Sequence, residues 1–387
     1  MANPPQLLFF PVGNGDMTLV KLESGRTILI DVSIRVAADN PNEPTPDVAA
    51  LLKETLKRDS QGRLYVDVFL LTHPDQDHCR GIARHFHLGP PETYSRSDNK
   101  IFIREIWSSP IVFRRASKIL MLCEDAQVWA TEARRRVKRF QEQGLVVGDG
   151  DRIQILGEDE NDKTDGLGSI LIKVDQVITK VNGVTDSSMS ARLLGPLPKS
   201  ENEDEEKALA KNRSSVILQF ELKINGVTAC YFLTGGDAEV AIWERLWRKH
   251  QNTGWLTYDI LQSPHHCSWR SLSNDSWSDL GEDAKVSEDA RNALSQARPG
   301  ARIIASCKPI SPRDSDPPCI RADREYRAIA KSVSGEFKCT SEYPTKSNPD
   351  LMVFEITQHG PRLKSCLSSG PTIVLPGAVG RQPLGHG

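Results

Sequence analysis

No stretch of this 387-residue chain holds about 18 consecutive apolar residues, so nothing in it is expected to span a bilayer as a helix. The opening Met1-Ala2-Asn3-Pro4-Pro5 lacks the basic and apolar regions of a secretory signal, which makes a cytoplasmic location the expectation. Charge of either sign is nearly balanced, with 49 Lys and Arg against 51 Asp and Glu and a net of -2. No global basic field therefore recruits nucleic acid, and any polyanion must be held locally. The eight cysteines contain no C-x-x-C pair, which argues against a zinc ribbon or a dithiol redox motif and fits reduced thiols. Internal repeats are also lacking.

What is present is an ordinary globular composition, 38% hydrophobic with 27 glycines, enough for a large core. One domain over residues 1–360 is expected, with an inserted helical lobe over about 92–145. A mobile excursion over about 158–212 carries the acidic run Glu201 to Glu206, and a flexible tail covers 361–387. Thr45-Pro46 marks the start of a helix over about 46–58.

The chemistry concentrates in Thr72-His73-Pro74-Asp75-Gln76-Asp77-His78, directly after the apolar run Leu64 to Leu71. That run has the length and composition of a strand buried on both faces. Its carboxyl end is where ligands bind in open α/β sheets. Two imidazoles with two carboxylates suit zinc, manganese or iron in a hydrolytic site better than a structural thiolate zinc. The spacing lets His73 and Asp75 point one way and Asp77 and His78 another, so two ions about 3.5–4 Å apart are compatible with one loop. The competing reading is a solvated turn rich in His and Asp.

This loop resembles the H-x-H-x-D-H signature of the metallo-β-lactamase fold superfamily, with Asp75 where most members have His. The H-x-D-x-D-H form looks like the hydrolase domain of ComEC-type DNA-uptake competence proteins, here without the membrane segments. The hairpin Phe10 to Asp31, the run Tyr231-Phe232-Leu233-Thr234-Gly235-Gly236-Asp237 and the run Asp259 to Ser268 with Pro264-His265-His266 occur in the order that family shows. The resemblance implies an α/β fold, an αββα sandwich of the metallo-β-lactamase type. It also implies that Asp237 bridges two metals. One of His265 and His266 is then a metal ligand or a donor to the transition state, and His265 is taken as the ligand. Relatives place a His after the last strand, Ala301 to Cys307. Lys308 to Pro318 has none, which either leaves one ion short of a protein ligand or makes Asp314 or Asp316 the substitute.

The implied site is His73, Asp75 and Asp237 for one ion, and His78 with Asp237 for the other. Asp77 joins the ligands and holds the attacking water. Asp77, His265 and His266 are the catalytic candidates, and Asp31 and Asp16 brace the loop from behind. The cofactor expected is one or two divalent ions, zinc first and manganese second. The activity implied is hydrolysis by a metal-activated water, of phosphodiesters in nucleic acid first. Carboxylic esters, thioesters or lactones are a second substrate class, and a binding module with an impaired site is a third reading.

Three further features each have two readings. The run Arg134-Arg135-Arg136-Val137-Lys138-Arg139 is either a phosphate track or a solvated helix face. Gly148-Asp149-Gly150-Asp151 is a calcium loop or a plain turn. Trp269 and Trp277 stack a base or pack.

Overall fold

Two large mixed sheets form because two sets of strongly apolar strands alternate with helices along the chain, giving a mixed α/β protein. The computed structural model describes residues 4–39, 45–110, 122–158, 164–198, 214–313 and 316–364. The first sheet runs in the order Leu171–Ile172, Arg152–Leu156, Ile101–Ser108, Leu64–Leu71, Thr27–Ile30, Thr18–Lys21, Gln6–Phe9, Met352–Thr357 and Gly360–Leu363. The second runs Val177–Ile178, Met189–Gly195, Ile217–Ile224, Val227–Leu233, Tyr258–Gln262, Ala297–Ala305 and Glu336–Cys339.

The inner faces share one core. Leu7, Phe9, Val20, Ile28, Val68 and Leu70 of the first sheet cluster with Leu218, Phe220, Phe232, Ile260 and Ile304 of the second. Phe9 meets Phe232 edge-on at 5.9 Å between ring centres. Outside the first sheet lie the helices Val48–Thr55 and Glu124–Gln143, which bury Leu52, Trp129 and Ala133 against Phe69 and Ile106. Outside the second lie Val240–His250, Glu288–Leu294 and Ile320–Ser332, seated on Leu261 and Ile303.

Parallel pairing fixes where the chemistry can be. Leu64–Leu71 pairs in parallel with Thr27–Ile30 and Ile101–Ser108, and Val227–Leu233, Tyr258–Gln262 and Ala297–Ala305 are parallel neighbours. Each of these strands therefore delivers its following loop to the same end of its sheet. The two ends are tied together by the Val216 N–H donating to Thr72 O at 3.1 Å and the Thr18 hydroxyl donating to Gln262 Oε1 at 3.0 Å.

Several expected boundaries move. The first helix is Val48–Thr55, capped by the Asp47 carboxylate, which accepts from Ala50 N–H, and not by Thr45. The expected helical lobe over 92–145 contains the strand Ile101–Ser108, central to the first sheet, before the helix Glu124–Gln143. Residues 171–195 form strands and not a mobile excursion, since Met189–Gly195 pairs along the length of Ile217–Ile224. The acidic run 201–206 lies outside the described residues. The flexible tail expected from 361 does not start there, because Gly360–Leu363 pairs with Met352–Thr357, and residues 365–387 lie outside the described residues.

The paired readings also separate. Arg135 and Arg136 both engage Glu132, Arg135 also pairs with Asp151, and Arg136 is fully buried with its guanidinium on backbone carbonyls of Ile103 and Arg152. The helix is thus fastened to the sheet by Arg135 and Arg136, while Lys138 and Arg139 stay exposed beside Glu142. Asp149 and Asp151 are taken up by Arg104, Arg152 and Arg135, which accounts for the turn without calcium. Trp269 is buried in the second core, 6.4 Å from Trp277.

Glu105 carries a cost that can be measured. It sits in Ile101–Ser108 almost without exposure and accepts from Asn182 N–H at 2.7 Å. Burial is the largest influence on its carboxyl and pushes the pKa up to about 7 from 4.5. An acid with a raised folded pKa loses stability as pH climbs from 4.5 through 7. Glu105→Gln keeps an acceptor without the charge, so it is expected to be more stable than the parent by up to ~3 kcal/mol at pH 8 and by nothing below pH 4.5. Urea unfolding at the two pH values checks this. A variant no more stable at pH 8 than at pH 4 contradicts it.

Candidate metal centre

Four loops converge at the shared end of the sheets. Thr72 to His78 follows Leu64–Leu71, Thr234 to Asp237 follows Val227–Leu233, Ser263 to Cys267 follows Tyr258–Gln262, and the turn Gly13 to Asp16 enters from the first hairpin. Asp16, His78, Asp237 and His266 place one donor atom each within 4.8 Å of one another, all four buried, so this group could hold a metal ion. A second group, His73, Asp75 and Asp237, meets the same criterion and shares Asp237 with the first.

The proton positions follow from the hydrogen bonds behind the imidazoles. His266 Nδ1 lies 3.1 Å from Ser306 O, and a carbonyl only accepts, so the proton is on Nδ1. His78 Nδ1 lies 2.7 Å from Asp31 Oδ2 and donates to that carboxylate. Thr72 Oγ1 donates to Asp31 Oδ2 at 2.6 Å, which leaves its lone pairs to accept from His73 Nδ1 at 3.1 Å. In the neutral state all three rings therefore present Nε2 lone pairs. His78 Nε2 and His266 Nε2 stand 3.2 Å apart, and His78 Nε2 is 3.0 Å from Asp237 Oδ1. His73 Nε2 is 3.3 Å from Asp237 Oδ2. His73 Nε2, Asp237 Oδ1 and Asp16 Oδ1 are buried without a hydrogen-bond partner. Converging lone pairs of this kind repel one another unless a cation lies among them, and mixed imidazole and carboxylate donors suit a divalent ion.

Electrostatics agree with this geometry. Burial pulls the His78 pKa down, but the Asp237 and Asp31 carboxylates hold it well above the usual imidazole value. Burial opposes the charge on His266 too, yet Asp237 and Asp16 push its pKa up to about 10. Burial would raise the Asp237 carboxyl, but His78, His266, His73 and His265 hold it well below the carboxylate range. The pocket attracts positive charge, whether as protons or as an ion.

Backbone strain aims the second sheet's donors. His265, His266 and Cys267 all have left-handed backbone, with φ of 50°, 51° and 67°. Each costs about 1–3 kcal/mol in a non-glycine residue, so the surrounding contacts must enforce it. His265 N–H donates to Gly236 O at 2.8 Å, and Cys319 N–H to Cys267 O at 3.0 Å. Gly235, ahead of Asp237, has a steric reason to be glycine. A Cβ on Gly235 would lie 2.8 Å from Pro264 Cα, and Asp237 N–H then reaches Ser215 Oγ at 3.1 Å.

The expected residues are placed unequally. His73, Asp75, His78 and Asp237 come together, with Asp237 shared. His266 and not His265 joins the ligand group. His265 Nε2 is 3.7 Å from Asp237 Oδ2 and stays partly exposed, because the left-handed turn sends the two rings apart. Asp77 lies beside the groups and in neither, with Oδ2 3.4 Å from His266 Nε2 and a third of its side chain exposed. Asp31 is behind His78 and Thr72. Asp16, expected behind the loop, is among the donors. The late segment offers no donor to either group among the described residues. Asp316 accepts from Trp269 N–H at 3.0 Å, and Asp314 lies outside the described residues. That segment fastens the Gly13 to Asp16 turn, through Ser306 Oγ donating to Gly15 O and Lys308 N–H donating to Asn14 Oδ1. Cys267 is fully buried with its thiol pKa pushed up by burial, and it belongs to neither group.

No protein-family model matches this chain, and no curated protein matches it in sequence. Among the described residues, no helix is long and apolar enough to cross a membrane.

Proposed function

We propose that this chain is a metal-dependent hydrolase built on an αββα sandwich of the metallo-β-lactamase type, and that its substrates are phosphodiesters of nucleic acid. The observation that carries the metal reading is the pair of donor groups hinged on one buried carboxylate, Asp237. The phosphodiester reading rests on the likeness of His73-Pro74-Asp75-Gln76-Asp77-His78 to the ComEC-type hydrolase loop.

Asp16, His78, Asp237 and His266 would hold one ion, and His73, Asp75 and Asp237 a second, with zinc favoured by the three imidazoles and manganese by the carboxylates. A divalent ion there supplies Lewis acidity and makes water acidic enough to ionise near neutral pH. The chain's own groups do the rest. Without an ion, burial pushes the Asp77 carboxyl up, but hydrogen bonding to His266 and the charges of His78 and His266 hold it below the ordinary range. With an ion in place of those protons, Asp77 would face it as a carboxylate able to accept a proton from water. His265, partly exposed at the mouth with its ring nitrogen near Asp237, is placed to donate to a departing oxygen.

The test is elemental mass spectrometry on protein purified without a metal-affinity tag, followed by hydrolysis of bis(p-nitrophenyl) phosphate. At least one divalent ion per chain and chelator-sensitive turnover are expected, with Asp77→Ala about a hundredfold slower or worse at unchanged metal content. Metal well below one equivalent after reconstitution, or turnover indifferent to chelator, sinks the proposal.

A further inference from the structure

Two arginines beside the metal groups have no ion pair among the described residues. Arg35 follows the short strand Val32–Ser33, and Arg80 follows the loop helix Gln76–Cys79. The two segments are bridged in parallel, Val32 to Cys79 and Ser33 to Arg80, with Ile34 N–H donating to Arg80 O at 2.9 Å. This places Arg80 two residues after His78 and Arg35 on the segment bridged to it. The Arg35 guanidinium sits against Gly13, in the turn that delivers Asp16. Gly13 has φ of 77°, which favours glycine, and the Arg35 Nη2 lies where a Cβ at that position would stand, three residues before a candidate metal donor. Arg35 Nε is buried without a hydrogen-bond partner. Burial and then the like charge of Arg80 depress the Arg35 pKa.

Half-buried like charges with no ion pair among the described residues are costly to keep, and a planar guanidinium fork matches the oxygens of phosphate. We propose that Arg35 and Arg80 form an anion site that holds a backbone phosphate of the substrate next to the scissile one, with the identity of that anion resting on the phosphodiesterase reading above. The metal groups act on one phosphate while the arginine pair grips its neighbour and sets the strand's register. A small diester carries no second phosphate, so the pair would give a polymer its advantage over such a substrate.

Fluorescence anisotropy of a labelled single-stranded oligothymidylate with the full chain, stripped of metal by chelator, reads this site without turnover. Arg35→Ala is expected to weaken binding about tenfold and to lower the slope of log affinity against log salt by about one, with an unchanged melting temperature. Arg80→Ala should act in the same direction. Arg35→Lys should restore the salt slope but only part of the affinity, because a point charge replaces a fork. Unchanged affinity and slope in Arg35→Ala, or no salt-dependent binding by the parent, overturns the proposal. Line broadening of inorganic phosphate in ³¹P spectra separates the source of the anion. If Arg35→Ala abolishes that broadening and leaves oligonucleotide binding intact, the site is for free phosphate and the substrate assignment fails. Arg35-dependent oligonucleotide binding by a parent that hydrolyses no diester retires the hydrolase and keeps the anion site.

Discussion

Replacing Asp237 by Asn is expected, on the hydrolase reading proposed above, to empty both metal groups at once and to lower diester turnover by at least ~10³-fold. The reason is geometric. Asp237 Oδ1 faces His78 Nε2 and Oδ2 faces His73 Nε2, so one carboxylate serves both groups. An amide keeps one weaker oxygen and turns an NH₂ towards lone pairs or an ion, which reverses the sign of the interaction. The same change leaves a signature in metal-free protein. Asp237 is the first carboxylate raising the pKa of both His78 and His266, so the His266 value near 10 should fall in the variant. The linkage signs define a window. The raised imidazoles contribute stability fully present below 6.5 and lost as pH rises through their folded values. The depressed Asp237 contributes stability present above 3.8 and lost as pH falls through its folded value. The parent's advantage over Asp237→Asn should therefore be greatest between about pH 4 and 6.5 and shrink towards pH 10. Metal affinity should move the other way, rising with pH as protons leave the imidazoles. NMR titration of the imidazoles and metal analysis of the variant check both parts. Retention of a full complement of metal by Asp237→Asn would falsify the shared-carboxylate arrangement.

The parts of this site legible in the sequence were those where one short segment carries both the element and the chemistry. Leu64 to Leu71 is apolar without interruption, so the strand and the ligand-bearing turn after it could be read together. Ile101–Ser108 was not, because Arg104 and Glu105 break its apolar run. In the fold the Arg104 guanidinium lies 3.5 Å over the Tyr65 ring and pairs with Asp67, while Glu105 is buried among polar backbone, so tertiary contacts override the pattern. The choice between His265 and His266 depends on three consecutive left-handed residues held by Gly236 and Cys319, contacts remote in sequence. Asp16 was visible as the end of a glycine-flanked turn, but its reach into the ligand group depends on space at Gly15. A Cβ there would lie 2.6 Å from Ser33 Oγ and 2.7 Å from Asp77 O. The late segment lacks the histidine that the resemblance calls for, and Asp16 and His266 complete a four-donor group without it.

Asp31 sets the tautomers of two rings, and its neutral isostere should be the most damaging change outside the donors themselves. The carboxylate is fully buried and accepts from Thr72 N–H at 2.7 Å, the Thr72 hydroxyl at 2.6 Å and His78 Nδ1 at 2.7 Å. Its backbone is left-handed, with φ of 53°, a conformation Asn accepts as readily as Asp. Asp31→Asn therefore tests the charge and the acceptors and adds no backbone strain. The amide oxygen can keep the partners of one carboxylate oxygen only. If it keeps the Thr72 N–H, the NH₂ faces both the Thr72 hydroxyl and His78 Nδ1. The His78 proton is then driven to Nε2, the nitrogen that faces Asp237, and the Thr72 hydroxyl turns its hydrogen towards His73 Nδ1, forcing that ring's proton onto its own Nε2. Two metal-facing lone pairs disappear from a change that touches no donor atom. Zinc affinity should fall by about 10–100-fold or more. Stability should fall by about 3–5 kcal/mol, since buried donors lose a charged acceptor. Long-range ¹H–¹⁵N correlation spectra of the imidazoles report the tautomers directly, and a zinc titration reports the affinity. Should His78 keep its proton on Nδ1 and the variant bind zinc as the parent does, the tautomer relay from Asp31 is wrong.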